Sequence, residues 1–414
     1  MKIGIIGLGY VGLPLAVEFS EGGHEVVGID TDPRKLDALE RAESYVEDIS
    51  SERLARLGDK LSATSRYADL ATVEAVVIAV PTPLTRNREP DLGPLTMAGT
   101  MLAGVLQRGQ LVVLESTTYP GTTRDRLAPL LEESGLAAGS DFNLAFSPER
   151  IDPGRTDYTM RNTPKVVGGL TPTCRERAVA LYDHVCDQVV EVSTPEAAEL
   201  TKLLENVFRS VNIALVNELA MLCDRMHIDV WEVVEAASTK PYGFMTFRPG
   251  PGMGGHCLPV DPFYLAWKAR EYDTPTEFIE LAGEVNQAMP YFCFERVTRA
   301  LNEHAKAVRG SRVGILGVSY KPGVGDLRES PALKIMRLLR EHGAELAYND
   351  PYLPELPELE LESEPLERLV DSDVAVIVTA HPDLEVERVV RDSPLVVDFR
   401  GVTRGIEAEN LVRL

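Results

Sequence analysis

The chain opens on an unbroken apolar run, KIGIIG, followed by a glycine-rich turn, the amphipathic segment LPLAVEFSEGG, and a second apolar run, HEVVGID. Short apolar runs without polar alternation read as strands buried on both faces, and apolar residues at helical spacing between them read as crossover helices. The opening therefore predicts a strand, a glycine turn, a helix from about 13 to 20 and a second strand ending at Asp30. Further apolar runs, AVVIAV at 75–80, LVVLES at 111–116 and NLAFS at 143–147, continue the alternation and predict a doubly wound parallel sheet. Over 194–225 the pattern changes, with apolar residues at helical spacing, no glycine, and no proline after the first turn. This predicts one long helix with Thr194 as its N-cap, Pro195 in the first helical position and Glu196 at the positive end of the macrodipole. More helices are expected to about 302. SRVGILGVSYKPGVGDLRESPALKIMRLLREHGAELAYND then repeats strand, turn, helix and strand, and DVAVIV and PLVVDF add two strands. The expected fold class is α/β, with two Rossmann-like doubly wound domains (1–193 and 303–414) joined by a central helical region (194–302) carrying the long connecting helix, and a ligand crevice between them.

With 44% hydrophobic and 26% charged residues the 414-residue chain sits near the globular average, so it is expected to fold throughout. A formal net charge of -22 argues against a broad nucleic-acid or anionic-membrane surface, because such surfaces need clustered cations. No run approaches the length of a membrane span, and the first residues enter a strand without a basic region and cleavage site, so a cytoplasmic protein is expected. Five scattered cysteines without C-x-x-C spacing suggest neither a disulfide framework nor a zinc site.

Gly7, Gly9 and Gly12 form G-x-G-x-x-G between a predicted strand and a predicted helix, with Asp30 ending the next strand. A glycine-rich turn alone says little; in this context it marks a dinucleotide site. The first glycine permits the turn, the second lets the backbone approach a pyrophosphate, and the third lets helix and strand pack closely. Asp30 can accept from both ribose hydroxyls and would repel a 2′-phosphate, which favours NAD over NADP; a flavin is the alternative cofactor.

Cys257 follows Gly250, Gly252, Gly254 and Gly255, and a thiol in such a loop is expected to be open to a substrate. A free cysteine is more often a small buried hydrophobe, and Cys174, Cys186, Cys223 and Cys293 take that reading. Lys202 and Asn206 share a face of the long helix, where a cation and an amide can stabilise an oxyanion; the plainer alternative pairs Lys202 with Glu199 or Glu205 on a solvated stripe. SPERIDPG places Glu149 and Arg150 after a strand, where active residues of open α/β sheets gather, though a surface loop would read the same. Thr82, Thr117 and Thr118 are strand-end hydroxyls that face a cofactor or cap the following helix.

GLGYVG, PTP, STTYPG, SPER, the Lys202 and Asn206 helix, GGHCLPVD and SYKPGVGDLRES occur in an order that resembles the UDP-glucose/GDP-mannose dehydrogenase family over essentially the whole chain. The resemblance implies an N-terminal NAD-binding domain, a central region that forms a homodimer or higher homo-oligomer, and a C-terminal domain for a nucleotide sugar. It implies oxidation of a C6 alcohol to a carboxylate with two NAD+, through a thiohemiacetal and a thioester on Cys257. Lys202 and Asn206 would then hold the oxyanion, Glu149 would be the base for thioester hydrolysis, Asp261 would activate or position water, and Thr118 would lie near the reacting oxygen. Tyr10 and Val11 within GLGYVG, Lys35, Thr82, Thr117 and Arg328 would join the cofactor site. Glu149, Arg150, Lys202, Asn206, Gly254 and Lys321 would join the UDP-sugar site. A family lysine often precedes the aspartate of the cysteine motif, but Val260 stands there in this chain. Arg248 is the candidate for an arginine contributed across subunits. SPERIDPG is most similar to the UDP-N-acetylglucosamine 6-dehydrogenase branch; UDP-glucose, UDP-N-acetylmannosamine and UDP-N-acetylgalactosamine are the alternatives. A hydroxyacid-type dehydrogenase, which needs no Cys257, and a non-catalytic nucleotide-sugar sensor are the rival functions.

Overall fold

The computed structural model describes every residue except 47–48, 86–88, 152–156, 256–257 and 259. The chain packs as two compact units, Met1–Glu205 with Phe263–Thr274, and Asn206–Pro262 with Pro275–Leu414.

The first unit is built on an eight-stranded sheet: β1 (Lys2–Ile6), β2 (Glu25–Ile29), β3 (Leu61–Thr64), β4 (Ala75–Ile78), β5 (Leu111–Leu114), β6 (Asn143–Phe146), β7 (Lys165–Gly169) and β8 (Val189–Val192), in the order β3-β2-β1-β4-β5-β6-β7-β8. The strands run parallel from β3 to β6; β7 pairs antiparallel with β6, and β8 parallel with β7. Alternate side chains point to opposite faces of a strand. Ile3, Ile5, Val77 and Val113 accordingly enter one buried cluster, and Ile6, Val76, Ile78, Val112 and Leu114 another. With both faces covered, the strands lose polar alternation, which is why they read as plain apolar runs. The strand order reverses between β1 and β4, the place where an open α/β sheet binds its ligand at the carboxyl ends of the strands.

The second unit holds a five-stranded parallel sheet of β9 (Arg312–Leu316), β10 (Glu345–Asn349), β13 (Val374–Ile377), β14 (Val396–Asp398) and β15 (Leu411–Arg413), ordered β10-β9-β13-β14-β15. Between β10 and β13 a short antiparallel ribbon joins β11 (Glu355–Leu356) to β12 (Leu361–Glu362). Val313, Ile315, Val374 and Val376 pack with the fully buried Met289, Cys293 and Val297 of the helix Glu277–Glu303.

The long helix runs Pro195–Met226, and the Thr194 hydroxyl accepts from the Ala197 amide at 3.2 Å, the N-cap that the spacing predicts. The fold is thus α/β and Rossmann-like, with a large, mostly parallel sheet and a long central helix. Among the described residues no helix is long and apolar enough to cross a membrane. The sequence reading is silent on β3, β7, β8, β11, β12 and β15, whose segments, such as LSAT, KVVGG, VVEV and LVR, are too short or too polar to stand out.

Candidate active site

The three glycines of the first turn differ in what surrounds them. Gly7 has φ +93°, and a Cβ there would stand 2.6 Å from the Ala79 carbonyl oxygen; at Gly12 it would stand 1.8 Å from the Gly7 carbonyl oxygen. Both positions are closed to any side chain by the protein itself. A Cβ at Gly9 would meet nothing within 4 Å, so this position faces open space ahead of the helix Gly12–Glu21. The residue before that helix, Val11, caps none of its amides, and Tyr10 is exposed. A bare backbone at Gly9 just ahead of a helix N-terminus is what a pyrophosphate needs.

Asp30 follows β2 and is buried. Its Oδ2 accepts from the Leu8 amide at 2.9 Å and from Lys35 Nζ at 2.8 Å, and its Oδ1 from the Asp32 amide at 2.9 Å. Burial pushes the carboxyl up, but Lys35 and the two amides outweigh it and hold the group below the usual range. Asp30 is therefore an ionised acceptor at neutral pH, and these residues fit a dinucleotide with a free ribose.

Beyond β4 and β5, Thr82 Oγ1 donates to the Thr117 carbonyl and Ser116 Oγ to the Val80 carbonyl, each at 2.6 Å, clipping the two strand-end loops together. The Thr82 hydroxyl proton is thus engaged within the protein. Thr118 is buried, and its hydroxyl has no partner among the described residues, an arrangement rare without a ligand or water to satisfy it. The loop that carries it is tied to the long helix by Glu199, whose Oε2 accepts from the Gly121 amide at 2.6 Å and whose Oε1 accepts from the amide (2.9 Å) and hydroxyl (2.7 Å) of Thr123. Burial raises this carboxyl to about 7.

Neither acid offered as a surface partner for Lys202 takes that place. Glu199 serves the Thr123 loop, and Glu205 forms an ion pair with Arg150, 2.7 Å from its Nη2; Arg150 also donates to the Pro164 carbonyl. Lys202 is buried and makes no ion pair among the described residues.

Glu149 lies at the end of β6. Its Oε1 accepts from the amides of Arg150 (2.8 Å) and Ile151 (2.6 Å), and its Oε2 stands 3.3 Å from Lys165 Nζ. Burial works against the ionised form, but Lys165, the Ile151 amide and Lys202 together hold the carboxyl below its ordinary range. Lys165, the first residue of β7, is also 2.8 Å from Glu115 Oε1, which accepts from Tyr182 Oη at 2.6 Å. Neither Glu115 nor Lys165 figures in the sequence reading, because 50 residues and a change of strand direction separate them.

In the second unit, Asn206 donates through Nδ2 to Asp261, which is buried at the start of the helix Asp261–Ala269. Two predicted site residues 55 positions apart are thus in direct contact. The glycines ahead of the cysteine are also required by packing within the unit. A Cβ on Gly254 would stand 2.6 Å from Tyr320 Cβ, one on Gly255 2.8 Å from the Tyr320 ring, and one on Gly250 2.8 Å from Arg400 Nη1. The Gly255 amide also donates to the Arg328 carbonyl at 2.9 Å. These glycines seat the loop against its own unit rather than leaving it loose. Arg328 is paired with Asp326, and Lys321 is half-buried in the same segment. Arg400, beside Gly250, is a buried cation that makes no ion pair among the described residues; only the tight glycine opposite it signals its place. Cys257 lies outside the described residues. Cys174, Cys186, Cys223 and Cys293 are all buried, and burial pushes the Cys186 thiol up to about 11.

Comparison with known proteins agrees with this arrangement. Three models of the UDP-glucose/GDP-mannose dehydrogenase family match in order: the NAD binding domain over 1–186, the central domain over 196–288 and the UDP binding domain over 314–405. The chain is 37% identical to a UDP-N-acetyl-D-glucosamine 6-dehydrogenase of Pseudomonas aeruginosa, over 85% of this chain and 83% of that one. It is 34% identical to an NDP-N-acetyl-D-galactosaminuronic acid dehydrogenase of Ralstonia solanacearum, over 97% and 96%. The solved structure of a UDP-D-ManNAc dehydrogenase from Pyrococcus horikoshii superposes with a TM-score of 0.91 at 33% identity, covering 100% of this chain and 99% of that one. The chain therefore belongs to the UDP-glucose/GDP-mannose dehydrogenase family and is an NAD-dependent UDP-sugar dehydrogenase.

Proposed function

We propose that this protein oxidises the C6 hydroxyl of UDP-N-acetylglucosamine to a carboxylate, taking four electrons from each sugar. The substrate reading rests on SPERIDPG and on the similarity to the Pseudomonas relative. UDP-N-acetylmannosamine is the second reading, favoured by the full-length likeness to the Pyrococcus structure.

NAD supplies the hydride acceptor for both oxidations, held by Gly7, Gly9, Tyr10, Val11, Gly12, Asp30, Lys35, Thr82, Thr117 and Arg328. The roles of the chain's own groups follow from their chemistry. The Cys257 thiolate adds to the aldehyde-level sugar, and a second hydride loss turns the thiohemiacetal into a thioester. Lys202 places a cation on the developing oxyanion, with the Asn206 amide as a second donor whose orientation Asp261 fixes. Thr118 offers its unpartnered hydroxyl to the reacting oxygen. Glu149 takes a proton from the water that cleaves the thioester, returning the thiol and releasing the carboxylate. Arg150, Gly254 and Lys321 complete the sugar and nucleotide contacts.

The single observation that carries the double oxidation is an ionised, mostly buried Glu149 held close to the charge of Lys202, which makes no ion pair among the described residues. A hydroxyacid-type dehydrogenase has no use for a second base of this kind. The long helix exposes Leu204, Phe208, Leu215, Leu219, Leu222 and Met226 at spacings of three, four and seven residues, an apolar stripe suited to a homodimer in the cytoplasm.

The test is NADH release from a panel of UDP-N-acetylglucosamine, UDP-N-acetylmannosamine, UDP-N-acetylgalactosamine and UDP-glucose. The expected result is a kcat/KM for UDP-N-acetylglucosamine at least about tenfold above the others, as a pocket built to hydrogen-bond a particular hydroxyl configuration allows. Preference for another sugar would overturn the substrate reading while leaving the chemistry intact.

A further inference from the structure

We propose that Lys165 is a positioning residue for thioester hydrolysis, its ammonium bridging Glu115 and Glu149 so that the Glu149 carboxylate is held in place as a base. The inference rests on the reading of Glu149 as that base.

The geometry is a buried chain of four groups. Tyr182 Oη donates to Glu115 Oε1 at 2.6 Å, Lys165 Nζ stands 2.8 Å from the same oxygen, and Glu149 Oε2 lies 3.3 Å beyond Lys165. The side chains of Lys165 and Glu115 are 4% and 0% exposed, while that of Glu149 keeps 13%. Only the last member of the chain therefore opens outward. An ammonium buried to this degree persists only because two carboxylates share it, and it fixes the Glu149 oxygen on one side while the Arg150 and Ile151 amides fix the other. Both oxygens of Glu149 are thus anchored, Oε1 by the loop amides and Oε2 by the adjoining strand, β7, while one lone pair of Oε2 is left to accept a proton.

Among the described residues the charged and titratable groups around these four side chains are few. Glu149 feels Lys165 and Lys202; Lys165 feels Glu115, Glu149 and Cys186, and lies 5.2 Å from the centroid of the Tyr182 ring. Glu115, Lys165 and Glu149 sum to one negative charge. Removing Lys165 leaves two carboxylates facing each other across a dry gap, and one of them must take up a proton. Since Glu115 is already pushed up by burial, a neutral Glu115 can satisfy part of the imbalance, but Glu149 still loses its nearest cation. An opposite charge at this range favours the ionised carboxyl, so its loss raises Glu149. The base must be ionised to accept a proton, and the acid limb of the rate profile therefore moves to higher pH.

The experiment compares the wild type with Lys165→Met, Lys165→Arg and the charge-balanced double variant Lys165→Met with Glu115→Gln, following kcat for carboxylate formation against pH. The expected result is an acid limb moved to higher pH in Lys165→Met and, by a smaller amount because the Glu115 charge is removed with it, in the double variant, with wild-type behaviour in Lys165→Arg and KM values for NAD and UDP-sugar within about twofold throughout. The double variant guards against misfolding of the single one, because it leaves no uncompensated pair of buried carboxylates. An unmoved acid limb in the folded double variant overturns the proposal, as does a loss confined to KM or to thermal stability. Glu149→Gln, run in parallel, separates the two readings. If it hydrolyses the thioester at the normal rate, the base assignment itself fails; if it stalls while the Lys165 variants keep the wild-type profile, only the positioning role fails.

Discussion

Cys257→Ser lowers steady-state formation of the uronate by about a thousandfold or more while leaving NAD affinity within about twofold. A serine hydroxyl is almost wholly protonated at neutral pH and, once acylated, is a poorer leaving group than a thiolate, so both formation and breakdown of the covalent intermediate suffer. No other thiol can take over, because the remaining cysteines are buried and the Cys186 thiol is pushed up to about 11 by burial. The cofactor contacts proposed around Gly9 and Asp30 lie in a different part of the sequence. NADH formation under saturating substrates, with NAD binding measured separately, checks both halves of the expectation. A variant with ordinary uronate production would remove Cys257 from the mechanism.

The second large effect is expected at Lys202. Methionine keeps the length and much of the packing of the side chain but removes the charge, so Lys202→Met isolates the electrostatic contribution. Loss of one preorganised oxyanion donor lowers kcat by about a hundred- to a thousandfold, and the loss here is expected in kcat more than in KM because the charge it opposes develops only as the sulfur adds and the hydride leaves. Lys202 is buried without an ion pair among the described residues, so its removal strands no partner carboxylate in the manner that makes a broken buried salt bridge destabilising. A melting temperature near that of the wild type is expected to accompany the kinetic loss. Unchanged kcat with a raised KM would instead make Lys202 a ground-state anchor for the sugar. Because Lys202 also helps hold the Glu149 carboxyl down, a small upward movement of the acid limb is expected in the same variant.

These residues were not equally visible in the sequence. The glycine turn, the strands around it and the long helix follow from local patterns: apolar runs with no polar face, three glycines at fixed spacing, and a proline just inside a helix start. Asn206 and Asp261 were each marked by a recognisable motif, but nothing in the sequence paired them. Glu115 and Lys165 carry no such mark. Each ends or begins a strand in an apolar setting, and their meeting depends on β7 turning back antiparallel against β6, with β6 in turn beside β5. That return is not written in hydrophobic period, since KVVGG reads the same in either direction. Glu199 was legible as part of an amphipathic helix but not as the acceptor for the Gly121 and Thr123 amides, which requires the loop after β5 to reach the helix. The glycines before Cys257 show the opposite case: the pattern was plain, but its cause was not. Close packing against Tyr320 and Arg400, far along the chain, requires glycine there whatever access the loop also gives a substrate.

The central claim is that the sugar becomes covalently attached to one sulfur on its way to the acid. Rapid quenching of Glu149→Gln with UDP-N-acetylglucosamine and NAD, followed by intact and peptide mass spectrometry, tests it most directly. The account predicts an adduct of one nucleotide-sugar acyl group on the peptide carrying Cys257, appearing together with two NADH per modified chain and absent from a Cys257→Ser background. An enzyme that turns over without any adduct, or an adduct on another cysteine, would contradict it.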